Sequence, residues 1–196
     1  KMGELGFMGM NVAEQFGGAG LDSLCYVLAM EEVSTACASC GVIMSVNNSL
    51  VCWPLETYGT GEQKQKFLAP LARGEKLGAY CLSEPGAGTD AAAQATTAKQ
   101  DGDEWVVNGM KNFITNGAHA DLLIVFAQTD PAAKHKGIRA FIVENTADGF
   151  SVIRKEDKMG IRASDTAQLA FDNVRVPADQ VLGGEGAGLK IAMSNL

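Results

Sequence analysis

The spacing of apolar and polar positions changes near residue 77 of this 196-residue chain. Before that point apolar residues recur at helical spacing: Leu24, Val27 and Leu28 form a stripe, with Glu31 and Glu32 on the other side. After that point short apolar runs alternate with turn residues, which is typical of strands. The change predicts a helical domain over residues 1–76 and a β-domain over residues 77–182.

The predicted helices have recognisable starts and ends. Asp22 follows a glycine-rich turn at residues 17–20 and can cap the first helix. A second apolar helix is predicted from residue 41 towards residue 52, where Pro54 is expected to disturb its end. A third is predicted over residues 62–69, and Pro70 can begin one more short turn.

The second part of the chain reads as strands. Asn108-Gly109 is a two-residue hairpin signal, and Asn116-Gly117, Asp148-Gly149 and Asp172-Asn173 read as turns. The predicted strands are residues 77–82, 104–107, 110–115, 122–127, 138–144 and 166–171, of which the continuously apolar run at 122–127 is typical of a strand buried on both faces. Without intervening helices, these strands predict an antiparallel sandwich or small barrel, and hence an α+β chain.

Residues 183–196 are interpreted as a linker followed by the first turns of a helical domain. A glycine-rich run at residues 183–188 resembles a nucleotide loop, but no strand–loop–helix unit surrounds it. A helix is predicted from residue 189, and the end of the chain cuts it short. Since the chain begins at Lys1 without an initiator Met or a targeting segment, we expect it to continue upstream.

Composition narrows the classes of function. The formal net charge of -7 argues against general nucleic-acid binding, and no apolar run is long enough to span a bilayer. Five cysteines suit a reducing compartment better than a disulfide framework. Cys37 and Cys40 have metal-like spacing, but helical packing of small residues is the preferred interpretation, and no metal site is predicted. His119 and His135 read as surface residues without an evident partner.

The first candidate site is the stretch YCLSEPGAGTD at residues 80–90. Ser83 presents a hydroxyl where the strand ends, and Pro85 stops the strand. Gly86 and Gly88 let the backbone approach another molecule closely, because they carry no Cβ. Such a loop can hold a flat or phosphorylated ligand against main-chain N–H groups, although glycine pairs of this kind also occur in plain turns.

The second candidate site lies in the strand at residues 110–115. Phe113 and Thr115 are two positions apart, so a regular strand presents both on one face. A ring beside a hydroxyl can stack on a planar heterocycle and hydrogen-bond its edge. The alternative is an ordinary half-buried strand.

Along its whole length the sequence resembles the acyl-CoA dehydrogenase family. YCLSEPGAGTD and FITNG are similar to two signatures of that family, and residues 3–7, 14–20 and 158–162 are similar to it as well. Residues 44–50 (MSVNNSL) and the Leu-Ser-Glu-Pro form of the loop look most like its short-chain, butyryl-type branch. Ala13 and Phe113 depart from the residues common in the family, which are Pro and Trp respectively.

The resemblance implies a fold and a set of cofactor contacts. The family combines a helical domain, a β-domain and a C-terminal helical domain, and its members are typically FAD-containing tetramers. Ser83 would lie near the pyrimidine edge of the flavin, Phe113 would cover the ring, and Thr115 would hydrogen-bond near N5. Thr89 would also face the acyl-CoA substrate. The implied FAD-binding residues are Tyr80, Cys81, Leu82, Ser83, Gly88, Thr89, Phe113, Ile114 and Thr115.

The implied function is the FAD-dependent α,β-dehydrogenation of a short-chain acyl-CoA to the trans-2-enoyl-CoA in fatty-acid β-oxidation. Electron-transfer flavoprotein is the implied electron acceptor, in bacterial cytoplasm or the mitochondrial matrix. No acid here matches the family's catalytic glutamate, so no catalytic residue is assigned, and the chain is expected not to turn over alone. An acyl-CoA oxidase or a non-catalytic flavin- or CoA-binding module are the alternatives. A basic cluster of Arg154, Lys155, Lys158 and Arg162 is either solvated surface or a phosphate contact.

Overall fold

A helical layer from the first part of the chain packs against one eight-stranded sheet from the second part. The computed structural model describes residues 1–194, so the last two residues of the predicted C-terminal helix lie outside the described residues. The predicted order of helices followed by a mostly antiparallel sheet is confirmed. No helix among the described residues is both long enough and apolar enough to cross a membrane.

The helical layer begins after an irregular segment with one 3-10 turn, Glu14–Phe16. Helix α1, Ser23–Ala36, starts as predicted, with the Asp22 carboxylate accepting a hydrogen bond from the Cys25 N–H at 2.9 Å. Its apolar stripe is not buried, since Leu24, Val27 and Leu28 are all more than half exposed.

Helix α2, Ala38–Ser45, continues through a π-helical stretch, Val46–Cys52, into α3, Trp53–Tyr58. Pro54 therefore lies inside a continuous helical segment rather than ending it. The proline lacks an N–H and crowds the preceding turn, and the wider π-helical turn before it accommodates both effects.

The next helical segment has the same build, with α4, Gly61–Gln63, a π-helical Lys64–Leu68 and α5, Ala69–Ala72. Thr60 and Gln63 form a capping box at its start: each side chain accepts a hydrogen bond from the other's backbone N–H. The last helix is α6, Gly188–Met193.

The sheet is open and mostly antiparallel. Its order is β6-β7-β3-β2-β4-β5-β8, with β1 paired to β4 off this path, so the sheet does not close into a barrel. Two pairings are parallel, β1 with β4 and β2 with β4. The strands are β1 (Gly78–Cys81), β2 (Thr97–Asp101), β3 (Glu104–Thr115), β4 (Leu122–Gln128), β5 (Ile138–Glu144), β6 (Phe150–Lys155), β7 (Thr166–Pro177) and β8 (Val181–Leu182).

Two predicted turns are wrong, because their residues form facing irregularities inside long strands. Asn108-Gly109 lies within β3 and Asp172-Asn173 within β7, where the register shifts. The Asn173 N–H donates to the Asn108 side chain at 2.9 Å. Gly109 is required for close approach: a Cβ there would lie 2.4 Å from the Thr96 hydroxyl oxygen. Bulges and turns select the same residues, which explains the error.

Strand β4 separates two hydrophobic cores, as its continuously apolar sequence predicts. Leu122, Ile124 and Phe126 face the helical layer. Leu123 and Val125 face a second core between the two halves of the curled sheet. That second core also contains Trp105 of β3 and Phe141 of β5, whose ring centroids are 5.6 Å apart.

Buried amide side chains join the helical layer to the sheet. Asn47 donates to the carbonyls of Met8 at 2.8 Å and Leu71 at 3.3 Å, and it accepts from the Gly78 N–H at 3.0 Å. Asn116 donates to the Gly78 carbonyl at 3.0 Å. Both backbone groups of Gly78 at the start of β1 are therefore fixed by side chains.

Candidate functional site

An open cavity of about 400 Å³ lies between the π-helical stretch of the helical layer and the ends of β1 and β3. Residues from the two candidate stretches meet in it. Its wall contains eight of the predicted site residues, namely Tyr80, Leu82, Ser83, Gly88, Thr89, Phe113, Ile114 and Thr115.

Four further residues of the wall were not predicted: Val46, Leu50, Ala91 and Met193. Val46 and Leu50 are four positions apart on the π-helical stretch, so they share a face, but many core residues have this spacing. Their spacing therefore does not separate them from ordinary core positions, and the only other signal is that both lie in the MSVNNSL stretch at residues 44–50.

Cys81 does not line the cavity. Its side chain is fully buried in the second core with Leu123 and Val125, because successive side chains on β1 point to opposite faces. Burial raises the pKa of the Cys81 thiol to about 12, so the thiol stays protonated.

The loop after β1 is a tight turn. The Glu84 N–H donates to the Ala87 carbonyl at 2.9 Å, and the Ala87 N–H returns a bond to Glu84 at 3.1 Å. This leaves Pro85 and Gly86 at the tip. A Cβ added to Gly88 would meet nothing within 4 Å, so the backbone there is open to another molecule.

Strand β3 bulges where it reaches the cavity. Its register against β7 shifts between Lys111 and Ile114, and Phe113 has a left-handed φ of 56°. Phe113 and Thr115 both line the cavity; Ile114 between them also borders it, but its side chain is buried in the second core. The alternation expected from the sequence therefore holds at these three residues, next to the irregular pairing that follows Lys111.

An ion pair that the sequence did not predict is buried behind these segments. The Lys111 ammonium lies 2.7 Å from a carboxylate oxygen of Glu84, and neither side chain is accessible beyond a few per cent. Burial acts to raise the pKa of Glu84, but the Lys111 charge and N–H donors outweigh it, and the pKa falls below its ordinary value. Burial lowers the pKa of Lys111, and Glu84 opposes that shift.

The cavity itself is uncharged and carries several hydroxyl groups. Among the described residues that line it there is no acidic or basic side chain; its polar side chains are the hydroxyls of Tyr80, Ser83, Thr89 and Thr115. The Tyr80 hydroxyl donates to the Ala192 carbonyl at 3.2 Å. Apolar walls with a few placed hydroxyls suit a planar ring with polar edges.

The remaining candidate groups lie elsewhere. The basic cluster of Arg154, Lys155, Lys158 and Arg162 does not line the cavity. Arg154 pairs with Glu156 at 3.1 Å and Arg162 with Asp157 at 3.5 Å, so acids of the same loop offset part of its charge. His119 has a partner after all, since its Nδ1 lies 2.9 Å from a carboxylate oxygen of Asp165.

A helical layer, a mostly antiparallel sheet and an uncharged cavity at their junction define a two-layer protein whose cavity walls suit a planar ligand. Residues 1–75 match the N-terminal domain of the acyl-CoA dehydrogenases, and residues 79–174 match their middle domain. The chain therefore belongs to the acyl-CoA dehydrogenase family, which confirms the resemblance seen in its sequence.

Similar proteins point to one branch of that family. The chain is 56% identical, over all of its 196 residues, to the mitochondrial short-chain specific acyl-CoA dehydrogenase of Bos taurus, of which it covers 48%. It therefore spans about half the length of that curated relative.

Solved structures are similar to the chain over nearly all of its length. One described as the electron transferring flavoprotein of Acidaminococcus fermentans has a TM-score of 0.97 at 50% identity, covering 99% of this chain and 51% of that one. The acyl-CoA dehydrogenase of Bacillus anthracis complexed with FAD has a TM-score of 0.91 at 40% identity, covering 98% of this chain and 32% of the other.

Proposed function

We propose that this chain is the flavin-binding part of an enzyme that oxidises short-chain acyl-CoA thioesters to trans-2-enoyl-CoA with FAD. One observation carries the proposal: the Ser83 and Thr115 hydroxyls and the Phe113 ring, from separate segments, line a single uncharged cavity. The short-chain branch is supported by the relative from Bos taurus, and FAD by the complex from Bacillus anthracis.

The residues of the cavity fit an isoalloxazine ring. Such a ring is flat and neutral, with apolar faces and polar edges, and the cavity offers aromatic and aliphatic walls with hydroxyls between them. We assign the Ser83 and Thr115 hydroxyls to hydrogen bonds with the ring edges, and Phe113 and Tyr80 to packing contacts. Hydroxyl donors near the ring favour the negative charge that reduction brings.

Gly88 and Thr89 are assigned to the acyl-CoA side of the cavity. Gly88 has open space where a side chain would project, and the Thr89 hydroxyl lines the same wall. A substrate held there against the ring would have its reacting carbons aligned with the cofactor. Bound FAD supplies the hydride acceptor.

The proton must be removed by a group outside this cavity wall, because none of the described residues that line it is a carboxylate. We therefore assign no catalytic base within the chain. In this proposal the chain binds and orients FAD and the acyl-CoA, and another group removes the proton. We expect no turnover from residues 1–196 alone.

Partners and assembly are part of the same proposal. Electron-transfer flavoprotein is the proposed electron acceptor, in keeping with the similarity to the structure described under that title. A homo-oligomer, in bacterial cytoplasm or the mitochondrial matrix, is proposed from the resemblance to the family; the Bos taurus relative is mitochondrial.

The proposal is tested with the whole protein, expressed with its natural termini and reconstituted with FAD. Butyryl-CoA is added without oxygen, and bleaching of the flavin absorption and formation of the enoyl-CoA are followed. Turnover with electron-transfer flavoprotein but not with oxygen supports a dehydrogenase. Hydrogen peroxide formation would instead identify an oxidase, and flavin binding without bleaching a non-catalytic module.

Two variants test whether flavin reduction by the substrate depends on the cavity. Ser83→Ala and Thr115→Val remove one hydroxyl each, and we expect slower reduction of the flavin by substrate. Ser151→Ala removes an exposed hydroxyl from β6, outside the cavity wall, and serves as the matched control. Equal rates in all three variants would remove the support that the cavity gives to the proposal.

A further inference from the structure

The buried Lys111 ammonium touches both segments that line the cavity. It donates to the Glu84 carboxylate at 2.7 Å, to the Leu82 carbonyl at 3.1 Å and to the Gln94 side-chain oxygen at 3.1 Å. An ammonium group has three donors, so all of them are used. Lys111 itself lies immediately before the bulge of β3.

The Glu84 carboxylate completes a closed set of contacts. Besides Lys111 it accepts from the backbone N–H groups of Ala95, at 2.6 Å, and Thr96, at 3.1 Å. One ion pair thus holds the end of β1, the loop after it, the segment at residues 94–96 and the bulge of β3. Ser83 lies between two of these anchors, Leu82 and Glu84.

Stability alone is a poor explanation for this arrangement. Burying two charges costs desolvation energy that their attraction repays only in part, and apolar replacements of similar volume are often neutral or stabilising. The bulge beside the pair is itself strained, since Phe113 is exposed and has a left-handed backbone without being glycine. Strain of this kind persists where the surroundings fix it.

We propose that the Lys111–Glu84 pair is a positioning device, which sets the Ser83 hydroxyl and the Phe113–Thr115 bulge at the spacing that the flavin ring requires. Neither residue lines the cavity, so both act through the backbone segments they hold. The identity of the ring rests on the proposed function; the effect of the pair on the two segments does not.

Hydrogen–deuterium exchange of the whole protein without FAD tests the effect on the segments. Lys111→Met leaves Glu84 buried without its partner, whereas Lys111→Met combined with Glu84→Gln removes both charges. In both we expect faster exchange at residues 82–96 and 110–116, and unchanged exchange in β5. Gln94→Leu removes only one acceptor and is expected to give a smaller change of the same kind. Arg175→Met, which breaks an exposed ion pair with Asp101 and Glu104, is the control.

FAD titration of the same proteins separates positioning from simple stabilisation. We expect the doubly substituted protein to regain thermal stability relative to Lys111→Met, yet to bind FAD at least about tenfold more weakly than wild type, with an altered flavin spectrum. Recovery of affinity and spectrum together with stability would reduce the pair to a structural role and overturn the inference.

The positioning role and the proposed function can be refuted independently. If wild-type protein binds no FAD, the proposed function is wrong, while the exchange data still decide whether the pair fixes the two segments. If wild type binds FAD but exchange at those segments is the same in every variant, including Gln94→Leu, the positioning role is wrong and the proposed function stands.

Discussion

The backbone N–H of Asn112 donates to the carbonyl of Ser83 at 2.8 Å. This bond joins the loop after β1 directly to the bulge of β3. Ser83 and Asn112 lie in the two stretches that the sequence marks as separate candidate sites, and the bond makes them one structural unit. Consequently, a change in the backbone of either stretch is expected to be felt by the other.

The open space beside Gly88 leads to a first prediction. Gly88→Ala is expected to leave the free energy of unfolding within about 0.5 kcal/mol of wild type, since no atom lies within 4 Å of the added methyl group. It should weaken binding of FAD or acyl-CoA, because Gly88 lines the cavity. Denaturant titration and ligand titration measure the two effects. Gly86→Ala adds a methyl group with equally open space but outside the cavity wall, and should change neither.

A second prediction concerns the strained ring. Phe113→Gly should raise the free energy of unfolding by up to about 1 kcal/mol, because glycine adopts the left-handed conformation freely and little burial is lost. FAD affinity should fall roughly tenfold with the loss of the ring contact. Ile161→Gly, which relieves a similar φ of 52° away from the cavity, should stabilise without affecting FAD. Destabilisation by Phe113→Gly would show that the conformation is not strained.

The third prediction concerns the bulge at Gly109. Gly109→Ala would bring a Cβ within 2.7 Å of the Thr96 Cα, and we expect destabilisation of about 1–3 kcal/mol. Gly160→Ala has nothing within 4 Å and should be neutral. Chemical denaturation compares the two. Equal stabilities would mean that β2 and β3 separate at this point more easily than the structure indicates.

The lowered pKa of Glu84 gives the fourth prediction, a dependence of stability on pH. Because the folded protein holds Glu84 ionised below its ordinary pKa of 4.5, it binds fewer protons than the unfolded chain in that range. Stability from this group is therefore present above pH 4.5 and is lost as the pH falls through the folded-state pKa. Denaturation at several pH values should show a shallower acid loss when Lys111→Met and Glu84→Gln are combined. Glu75→Gln, which removes one partner of an exposed ion pair with Arg73, should have a smaller effect. The same dependence of unfolding free energy on pH in all proteins would contradict the lowered pKa of Glu84.

Four of the five cysteines should react in a fixed order, which is the fifth prediction. Cys25 and Cys37 are exposed, whereas Cys52 and Cys81 are fully buried. The backbone N–H of Cys40 lowers the pKa of the Cys37 thiol, and the neighbouring Asp22 carboxylate raises that of Cys25. With iodoacetamide at neutral pH we expect Cys37 to react before Cys25, and Cys52 and Cys81 only after unfolding. Peptide mass spectrometry gives the rates, and early labelling of Cys81 would show that the second core opens readily.

The sequence was most informative where the pattern is local or the motif is long. The helix cap at Asp22, the buried strand β4 and the limits of β5 follow from side-chain chemistry and periodicity. The short strands β2, β6 and β8 were missed, because their sequences are polar or partly exposed and have little apolar signal of their own.

The sequence predicts which residues share the cavity wall better than it predicts the local backbone geometry. Eight of nine predicted residues share one cavity, since two long motifs identified them. The irregular pairing of β3 at Phe113 depends on its contact with β7, and the Lys111–Glu84 pair depends on tertiary burial. A short stretch of sequence shows neither feature. The pairing with β7 involves residues far along the chain, and a lysine in a strand is normally exposed rather than buried.

The hydrogen bonds of Gly78 to the side chains of Asn47 and Asn116 affect the cooperativity of thermal unfolding. One amide belongs to the helical layer and the other to the end of β3, so neither layer can come apart without releasing a backbone group of the same glycine into an apolar interior. A released group of this kind is costly, and the cost falls on both layers at once. Heating should consequently give a single calorimetric transition, and Asn47→Leu should divide it into two.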